Sequence, residues 1–512
     1  MRSTNSSNPL PTQNVLPDWL TRAALQHPEK IAVENDRQGW TFLELDRRAT
    51  HLAQQLVTTG GIRSGDRVAL IAANSLTYCA LVHALIRCGG VLVPLNTRLA
   101  ESELCWQIND IQASLLIHDD LHEATANSIA AQIPGLRRFK LPEAERLDLA
   151  QIPGASDSTL RGEIDLGATQ AIIYTSGTTG RPKGVLITYG MHWWSAVGSL
   201  LNLGQSPDDC WLACLPFFHI GGLSILMRSA IYGMRVLIYD HFDAFSINQA
   251  LLQRRVTIIS VVATMLQRLL ASLDQDNDAG TYPPSLRCVL LGGGPAPQSL
   301  LEDCTRRAIP AVQTYGMTES CSQAVTLAPE DARRKLGSAG RPLPTVQIRI
   351  VVNGKVAGSN EPGEILLRGP TITPGYVRQP EATAAAFQEG WFATGDWGYL
   401  DTEGYLYVLD RRSDLIISGG ENVYPAEIEA ALQEHPAVAE AGVCGVPHER
   451  WGQVPMAFVV LRAGSSSSKE ELLAYLATRI AHYKIPEDIR FTNQLPRTSS
   501  GKLLRRELPW RP

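Results

Sequence analysis

The residues best placed to do chemistry stand in one short run, Ile172-Ile173-Tyr174-Thr175-Ser176-Gly177-Thr178-Thr179-Gly180-Arg181-Pro182-Lys183-Gly184. An apolar strand end leads straight into a loop of serine, threonine and glycine closed by a lysine. Such a loop suits phosphate: glycines let backbone N–H groups approach the oxygens, hydroxyls donate further bonds, and the lysine supplies charge. It is not a Walker A loop, because Lys183 stands three places after Gly180 and is followed by glycine rather than Ser or Thr.

Other residues would complete a nucleotide site. Thr318 and Glu319 put hard oxygens in a polar loop, and beside a triphosphate these suit Mg²⁺, although a lone loop glutamate is ordinarily solvated. Tyr315 offers a flat face for an adenine. Val289-Leu290-Leu291 running into Gly292-Gly293-Gly294-Pro295 reads as a strand end where backbone approaches a ligand at the carboxyl edge of a sheet. Asp396, after Thr394-Gly395, either accepts from both ribose hydroxyls or closes an Asx turn, and the residues alone leave both readings open.

Such residues need a scaffold, and helical and strand signals alternate from early in the chain, as in an α/β protein with largely parallel sheets. Thr41-Phe42-Leu43-Glu44 has the form of a capping box, and Leu45, Ala49, Leu52, Ala53 and Leu56 follow at helical spacing until Gly60-Gly61. Val68 to Ile71 as strand, a helix from about Ser75 to Cys88, and Val91 to Val93 as strand make a βαβ unit. After Val346 short alternating strands predict a β-rich subdomain within the large domain. Beyond Asp410-Arg411-Arg412-Ser413 the chain holds its own helices and strands. Pro425 opens one helix, Met456 to Leu461 reads as a strand, and Ser468 caps a helix running to about Ile480. The expected division is a disordered tail over 1–14, a large domain over 15–410 built from αβ-layered subdomains and the β-rich one, and a small mobile α+β domain over 411–512, with a hinge about 410–413.

Composition excludes other classes. The 512 residues carry 51 Asp and Glu against 46 Lys and Arg, a net charge of −5 that offers no footprint for nucleic acid and no polybasic face for a bilayer. The apolar stretch from Cys79 to Leu95 is interrupted by His83, Arg87 and Gly89-Gly90, short of the ~20 apolar residues of a membrane span. The N-terminus lacks the apolar core of a signal peptide. Nine scattered cysteines without a C-x-x-C read as reduced core thiols. A cytoplasmic protein acting on small molecules is expected, with its oligomeric state open.

The run 174–184 resembles the signature phosphate loop of the adenylate-forming superfamily, which comprises acyl-CoA synthetases, peptide adenylation domains and luciferases. The family's other motifs follow in its order: Gln313-Thr314-Tyr315-Gly316-Met317-Thr318-Glu319, Trp391-Phe392-Ala393-Thr394-Gly395-Asp396, Tyr407 through Arg411, Gly419-Gly420-Glu421-Asn422, and Pro496-Arg497-Thr498-Ser499-Ser500-Gly501-Lys502. The resemblance implies ATP binding by Thr175, Ser176, Gly177, Thr178, Thr179, Gly180, Lys183, Gly293, Gly294, Thr314, Tyr315, Gly316, Thr318, Asp396, Arg411 and Lys502, with Mg²⁺ held by Thr175 and Glu319. Lys502, otherwise a surface lysine near the C-terminus, is implied to stabilise charge at the α-phosphate during adenylation. A later thioester-forming state would bring Ser418, Gly419 and Gly420 to the site as a slot for the pantetheine arm of coenzyme A. Trp451 would stack on the coenzyme's adenine or simply fill a core. Ser413 stands at the turning position, where the family commonly has Asp or Lys.

The acid is narrowed by His219, which follows Phe218 where amino-acid-activating relatives carry Asp. His219 reads as a pocket wall rather than an acid or base, although it sits with Lys502 and Arg411 among the candidate catalytic residues. His192-Trp193-Trp194-Ser195, the segment from Leu215 through Ser224, Arg228 and Tyr232-Gly233-Met234 together resemble the o-succinylbenzoate–CoA ligase branch of menaquinone synthesis, with Gly221 where many of those ligases have Ser. The implied activity is ATP-dependent formation of an acyl-adenylate and then a CoA thioester. A ligase for another aryl or medium-chain acid, a luciferase-like oxygenase and a non-catalytic nucleotide-binding relative stay open. His219, Gly221, Arg228 and Gly316 are the candidate acid-binding residues. A second substrate carboxylate would need a cation in a largely apolar pocket, for which Arg228 is the first candidate and Arg98 a more distant one, against the alternative that Arg228 makes a structural salt bridge.

Overall fold

The structure is a computed structural model that describes residues 14–143, 160–175, 182–276, 280–294, 296–410, 415–462, 464–496, 503 and 505–509. The expected βαβ unit is present as strand Arg67–Ile71, helix Leu76–Cys88 and strand Val91–Pro94, the strands pairing in parallel from Arg67 with Val91 to Leu70 with Pro94. Ser75 caps the helix by accepting from the Tyr78 N–H, and Gly89 ends it in the left-handed region at φ 70°. The preceding helix, Phe42–Thr58, starts on its capping box. The Thr41 hydroxyl accepts from the Glu44 N–H at 3.2 Å and the Glu44 carboxylate from the Thr41 N–H at 2.8 Å. Asn14, expected in the tail, instead accepts the Leu166 N–H on its carbonyl at 2.9 Å.

These elements join a six-stranded sheet in the order Lys183–Thr188, Thr169–Thr175, Val91–Pro94, Arg67–Ile71, Leu115–His118, Arg137–Lys140. A nine-stranded sheet runs Arg341–Pro342, Val325–Thr326, Ala311–Tyr315, Cys288–Leu291, Ile258–Val261, Cys210–Ala213, Arg235–Ile238, Ile31–Glu34, Gly39–Thr41. Its central strands are parallel and wholly buried, as their largely apolar composition demands, and Ser260 among them accepts from the Trp211 indole N–H. The stretch after Val346 forms an antiparallel sheet that includes Gln347–Val352, Gly363–Arg368, Trp391–Leu400 and Leu406–Asp410.

A last sheet is built only from residues 416–491, with helices Pro425–Gln433 and Lys469–Ala477 and a core that includes Ile428, Leu432, Val443, Val459, Leu472 and Leu476. The fold is therefore the expected α/β body with a smaller α+β unit. The second helix stops at Ala477, short of the expected Ile480, and there the Thr478 hydroxyl turns back onto the Tyr475 carbonyl at 2.9 Å. All nine cysteines are free. Among the described residues no helix is long and apolar enough to cross a membrane.

The small unit docks on the large body through a buried cation. Lys484, 3% exposed, pairs with Glu103 of the large body at 2.6 Å and with Glu427 of its own unit at 2.7 Å. Burial works against its charge, but the two carboxylates hold its pKa above the usual value. The Ser102 hydroxyl donates to the Arg479 carbonyl at 3.1 Å alongside. Replacing Lys484 by Met would strand two buried carboxylates, a cost of about 3–5 kcal/mol for a broken buried pair. Hydrogen exchange should then rise in helices Glu101–Asp110 and Pro425–Gln433. Unchanged protection in both would mean that the cation does not hold the units together.

Candidate active site

One cleft gathers most of the predicted residues that are described. It encloses ≈ 260 Å³ between the large body and the small unit, and Leu215, Pro216, Ser260, Val261, Val262, Leu290, Gly292, Gly293, Thr314 and Gly316 line it. Several of these lie just past the carboxyl ends of the parallel strands of the nine-stranded sheet, where ligands of open α/β sheets bind. Clefts of ≈ 330 Å³ beside Ile309 and ≈ 340 Å³ beside Ser64 contain none of the predicted site residues.

The wall carrying Gly316, Thr318 and Glu319 is a tight turn after strand Ala311–Tyr315. A Cβ at Gly316 would lie 1.6 Å from the Ser322 carbonyl oxygen, so only glycine lets the loop close. Cys321 and Ser322 then adopt left-handed backbone at φ 53° and 86°, a strained pair at the cleft. Glu319 presents its carboxylate between Thr318 and the Tyr376 hydroxyl, which donates to Oε1 at 3.0 Å, and Thr175 also faces the cleft. Among the described residues no three His, Cys, Asp or Glu side chains gather to hold a metal unaided. The donor set fits instead a hard cation that completes its shell with phosphate and water.

Asp396 lines the cleft at 4% exposure and accepts from the Tyr315 hydroxyl at 2.7 Å. Tyr315 lies behind the cleft wall, its ring in the core with Val325, Leu343 and Ile365. It holds Asp396 where the sequence suggested a flat face for a base. Thr314 faces the cleft, but its hydroxyl is engaged with the Val325 carbonyl at 3.0 Å.

On the acid side, helix Ile220–Tyr232 starts at His219 and carries Gly221 and Arg228 to the cleft. Arg228 is 2% exposed. Its Nη2 donates to the Ser195 hydroxyl at 3.2 Å, its guanidinium lies 5.4 Å from the Trp211 ring centre, and its Nε has no partner among the described residues. No carboxylate of the described residues pairs with it. Burial pushes its pKa down, yet a guanidinium stays charged, which leaves an unneutralised buried cation. Gln323, 1% exposed, also lines the cleft, with neither amide atom partnered among the described residues.

The small unit closes the cleft with the turn between strands Ile416–Ser418 and Glu421–Val423. Gly419 and Gly420 sit at φ 59° and 90°. A Cβ on Gly419 would lie 2.8 Å from the Trp451 ring, and one on Gly294 would lie 2.6 Å from Ile417 Cδ1, so both glycines permit close approach. Glu421, 3% exposed, reaches across. Oε1 meets Arg98 Nη1 at 2.8 Å, and Oε2 lies 3.1 Å from His219 Nε2 and 3.3 Å from Asn96 Nδ2. Burial resists its ionisation, but His219, Arg98 and Lys484 hold its pKa below the usual carboxylate range. Arg98 is thus occupied by Glu421. Trp451 is a surface residue at 37% exposure, with the Arg450 guanidinium 4.5 Å from its ring centre. Ser418 is buried in the sheet beside Gly452.

The structure thus brings Thr175, Gly293, Thr314, Gly316, Thr318, Glu319, Asp396, His219, Gly221, Arg228, Gly419 and Gly420 to one cleft. Lys183 stands at the start of the strand beside it, with Nζ 5.0 Å from the Tyr376 ring centre. Ser176, Gly177, Thr178, Thr179, Gly180, Arg411, Ser413, Lys502 and residues 1–13 lie outside the described residues. Sequence reasoning missed the Glu421 bridge, Gln323 and Tyr376. Only Glu421 and Tyr376 left a trace, each directly following glycine.

Residues 20–377 match the model of the AMP-binding enzyme family, and residues 427–502 match that of the AMP-binding enzyme C-terminal domain. The chain is 50% identical to the 2-succinylbenzoate–CoA ligase of Geobacillus kaustophilus over 96% of its own length and 97% of that protein's. It is similar to a double mutant of the o-succinylbenzoate CoA synthetase from Bacillus subtilis bound with the product analogue OSB-NCoA, with a TM-score of 0.88 at 43% identity, covering 96% of this chain and 98% of that one. The same enzyme in complex with the acyl-adenylate intermediate OSB-AMP gives 0.73 at 44% identity, covering 97% and 99%. On these grounds the chain belongs to the AMP-binding enzyme family.

Proposed function

We propose that this chain is an AMP-forming acid–thiol ligase that converts o-succinylbenzoate to o-succinylbenzoyl-CoA, a step of menaquinone biosynthesis. The carboxylate oxygen of the acid attacks the α-phosphorus of ATP and pyrophosphate leaves. The thiol of coenzyme A then attacks the acyl carbon, the C–O bond to AMP breaks, and AMP leaves with the electron pair. The observation that carries the choice of acid is Arg228, a buried guanidinium without a carboxylate in a cleft that also holds the unpartnered Gln323 amide. An acid bearing a second carboxylate neutralises that charge, whereas a plain aryl or fatty acid leaves it buried.

The remaining roles are those that the family resemblance implies. Lys183 and the loop 176–180 hold the outer phosphates, Asp396 accepts from the ribose hydroxyls, and Arg411 meets the nucleotide. Glu319 and Thr175 would hold Mg²⁺, which when bound neutralises phosphate charge. Lys502 supports the charge that builds at the α-phosphorus. For the second step the small unit presents Gly419 and Gly420, whose bare backbone leaves room for the pantetheine arm, with Trp451 outside against the adenine of coenzyme A. His219 is a wall held by Glu421. A thiol with a pKa near ~8.5 needs no dedicated base against an activated acyl donor. Two faces of one small unit serve two steps, so the connector around Ser413 turns between them. We place the enzyme in the cytoplasm, where its nine free thiols stay reduced.

Purified protein given ATP, Mg²⁺, coenzyme A and a panel of carboxylates should yield AMP and thioester with o-succinylbenzoate and little with benzoate or octanoate. Thioester from the latter but none from the former would overturn the substrate reading. Replacing Arg228 by Gln should lower kcat/KM for o-succinylbenzoate about 10²-fold, the scale of a lost buried ion pair, and leave any slow turnover of benzoate unchanged. Equal losses on both acids would remove Arg228 from substrate recognition. A Lys502→Ala variant should lose about 10²–10³ in adenylate formation and little in thioester formation from supplied adenylate, as single-turnover kinetics would report.

A further inference from the structure

Tyr376 stands between two groups of the phosphate side of the site. It is 7% exposed, its hydroxyl donates to Glu319 Oε1 at 3.0 Å, and its ring centre lies 5.0 Å from Lys183 Nζ. Its backbone belongs to a strap that ties the same two elements. Leu186 N–H donates to the Gly375 carbonyl at 3.1 Å, and Val377 N–H donates to the Gly184 carbonyl at 2.8 Å. At the other end Thr373 N–H donates to the Glu319 carbonyl at 2.8 Å. The strap lies this close because Gly184, next to Lys183, has no side chain, and a Cβ there would stand 2.6 Å from Val377 Cγ1. Gly375 makes the bend at φ 145°, where a Cβ would stand 2.4 Å from Thr383 Cγ2.

We infer that Tyr376 is a positioning residue that sets the Glu319 carboxylate with its hydroxyl and the Lys183 ammonium with its ring. The inference rests on the reading that Glu319 holds the divalent ion and Lys183 the phosphates. A carboxylate that ligates a metal needs its second oxygen tied, or it rotates among several geometries, and partners of this kind are worth roughly 10–100-fold in metal affinity. An ammonium over a tyrosine face within about 6 Å is attracted by the ring quadrupole, which keeps a flexible lysine near one place. One side chain thus couples the ion and the phosphate cation, so that both are in register before nucleotide arrives.

The test is binding, not turnover. Mn²⁺ affinity is read by electron paramagnetic resonance in the presence of a non-hydrolysable ATP analogue, and metal-free affinity for that analogue by calorimetry. Tyr376→Phe, which keeps the ring and removes the hydroxyl, should weaken Mn²⁺ about tenfold and leave metal-free nucleotide binding unchanged. Tyr376→Leu should weaken both, with thermal melting curves showing each variant folded. Wild-type Mn²⁺ affinity in Tyr376→Phe alongside weakened affinity in Glu319→Gln would overturn the role of Tyr376. Wild-type Mn²⁺ affinity in Glu319→Gln would instead overturn the assignment of the ion to Glu319, and with it this inference.

Discussion

The docking of the small unit turns on two buried charges, the Lys484 ammonium and the Glu421 carboxylate. Glu421 belongs to the small unit, yet its two oxygens are spent on Arg98 and His219 of the large body. Stripping water from a carboxylate costs several kcal/mol, so this contact persists only while both partners are in place. The Arg98 and His219 side chains are already 53% and 42% exposed, so the penalty sits on the carboxylate alone. A charged bridge of this kind distinguishes one arrangement sharply from others without making it irreversible, as a two-step catalyst requires. An apolar interface of the same area would have held more tightly and released more slowly.

The same bridge sets the cleft. By drawing the 419–420 turn inward it brings bare backbone opposite His219, and the pair of glycines keeps that backbone thin. Behind it lies Arg228, a buried cation that pairs with no carboxylate among the described residues. Stability is thus given up at the binding site, in a buried charge, a buried amide and two left-handed non-glycine residues, and recovered in the apolar strands beneath. Net charge carries little of this. A chain at −5 still sets a buried guanidinium, Arg228, at its cleft.

Local chemistry made much of the fold legible. The Thr41 and Glu44 box, the Ser75 cap and the Gly89 stop are interactions between residues a few places apart, and they appear where expected. The glycine turn after Leu291 and the Thr318-Glu319 step line the cleft, while residues 176–180 of the phosphate-loop run lie outside the described residues. What was not legible is long-range. Glu421 meets residues 202 and 323 positions away, and Tyr376 meets Glu319 from 57 positions away. No periodicity reports such pairs. The packing of the Tyr315 ring with Val325 and Leu343, and its hydroxyl bond to Asp396 across 81 positions, are long-range in the same way. Trp451 escaped the core reading because Gly419 makes room for it at the surface.

The most direct measurement is the pair of half-reactions in a Glu421→Gln variant, followed separately as pyrophosphate release on mixing with ATP and acid and as thioester formation from supplied adenylate and coenzyme A. If the bridge selects the arrangement for thiol transfer, adenylate formation stays near wild type while thioester formation falls about 10–100-fold, the scale of a lost buried charge pair. Equal loss in both steps, or none in the second, would contradict that role.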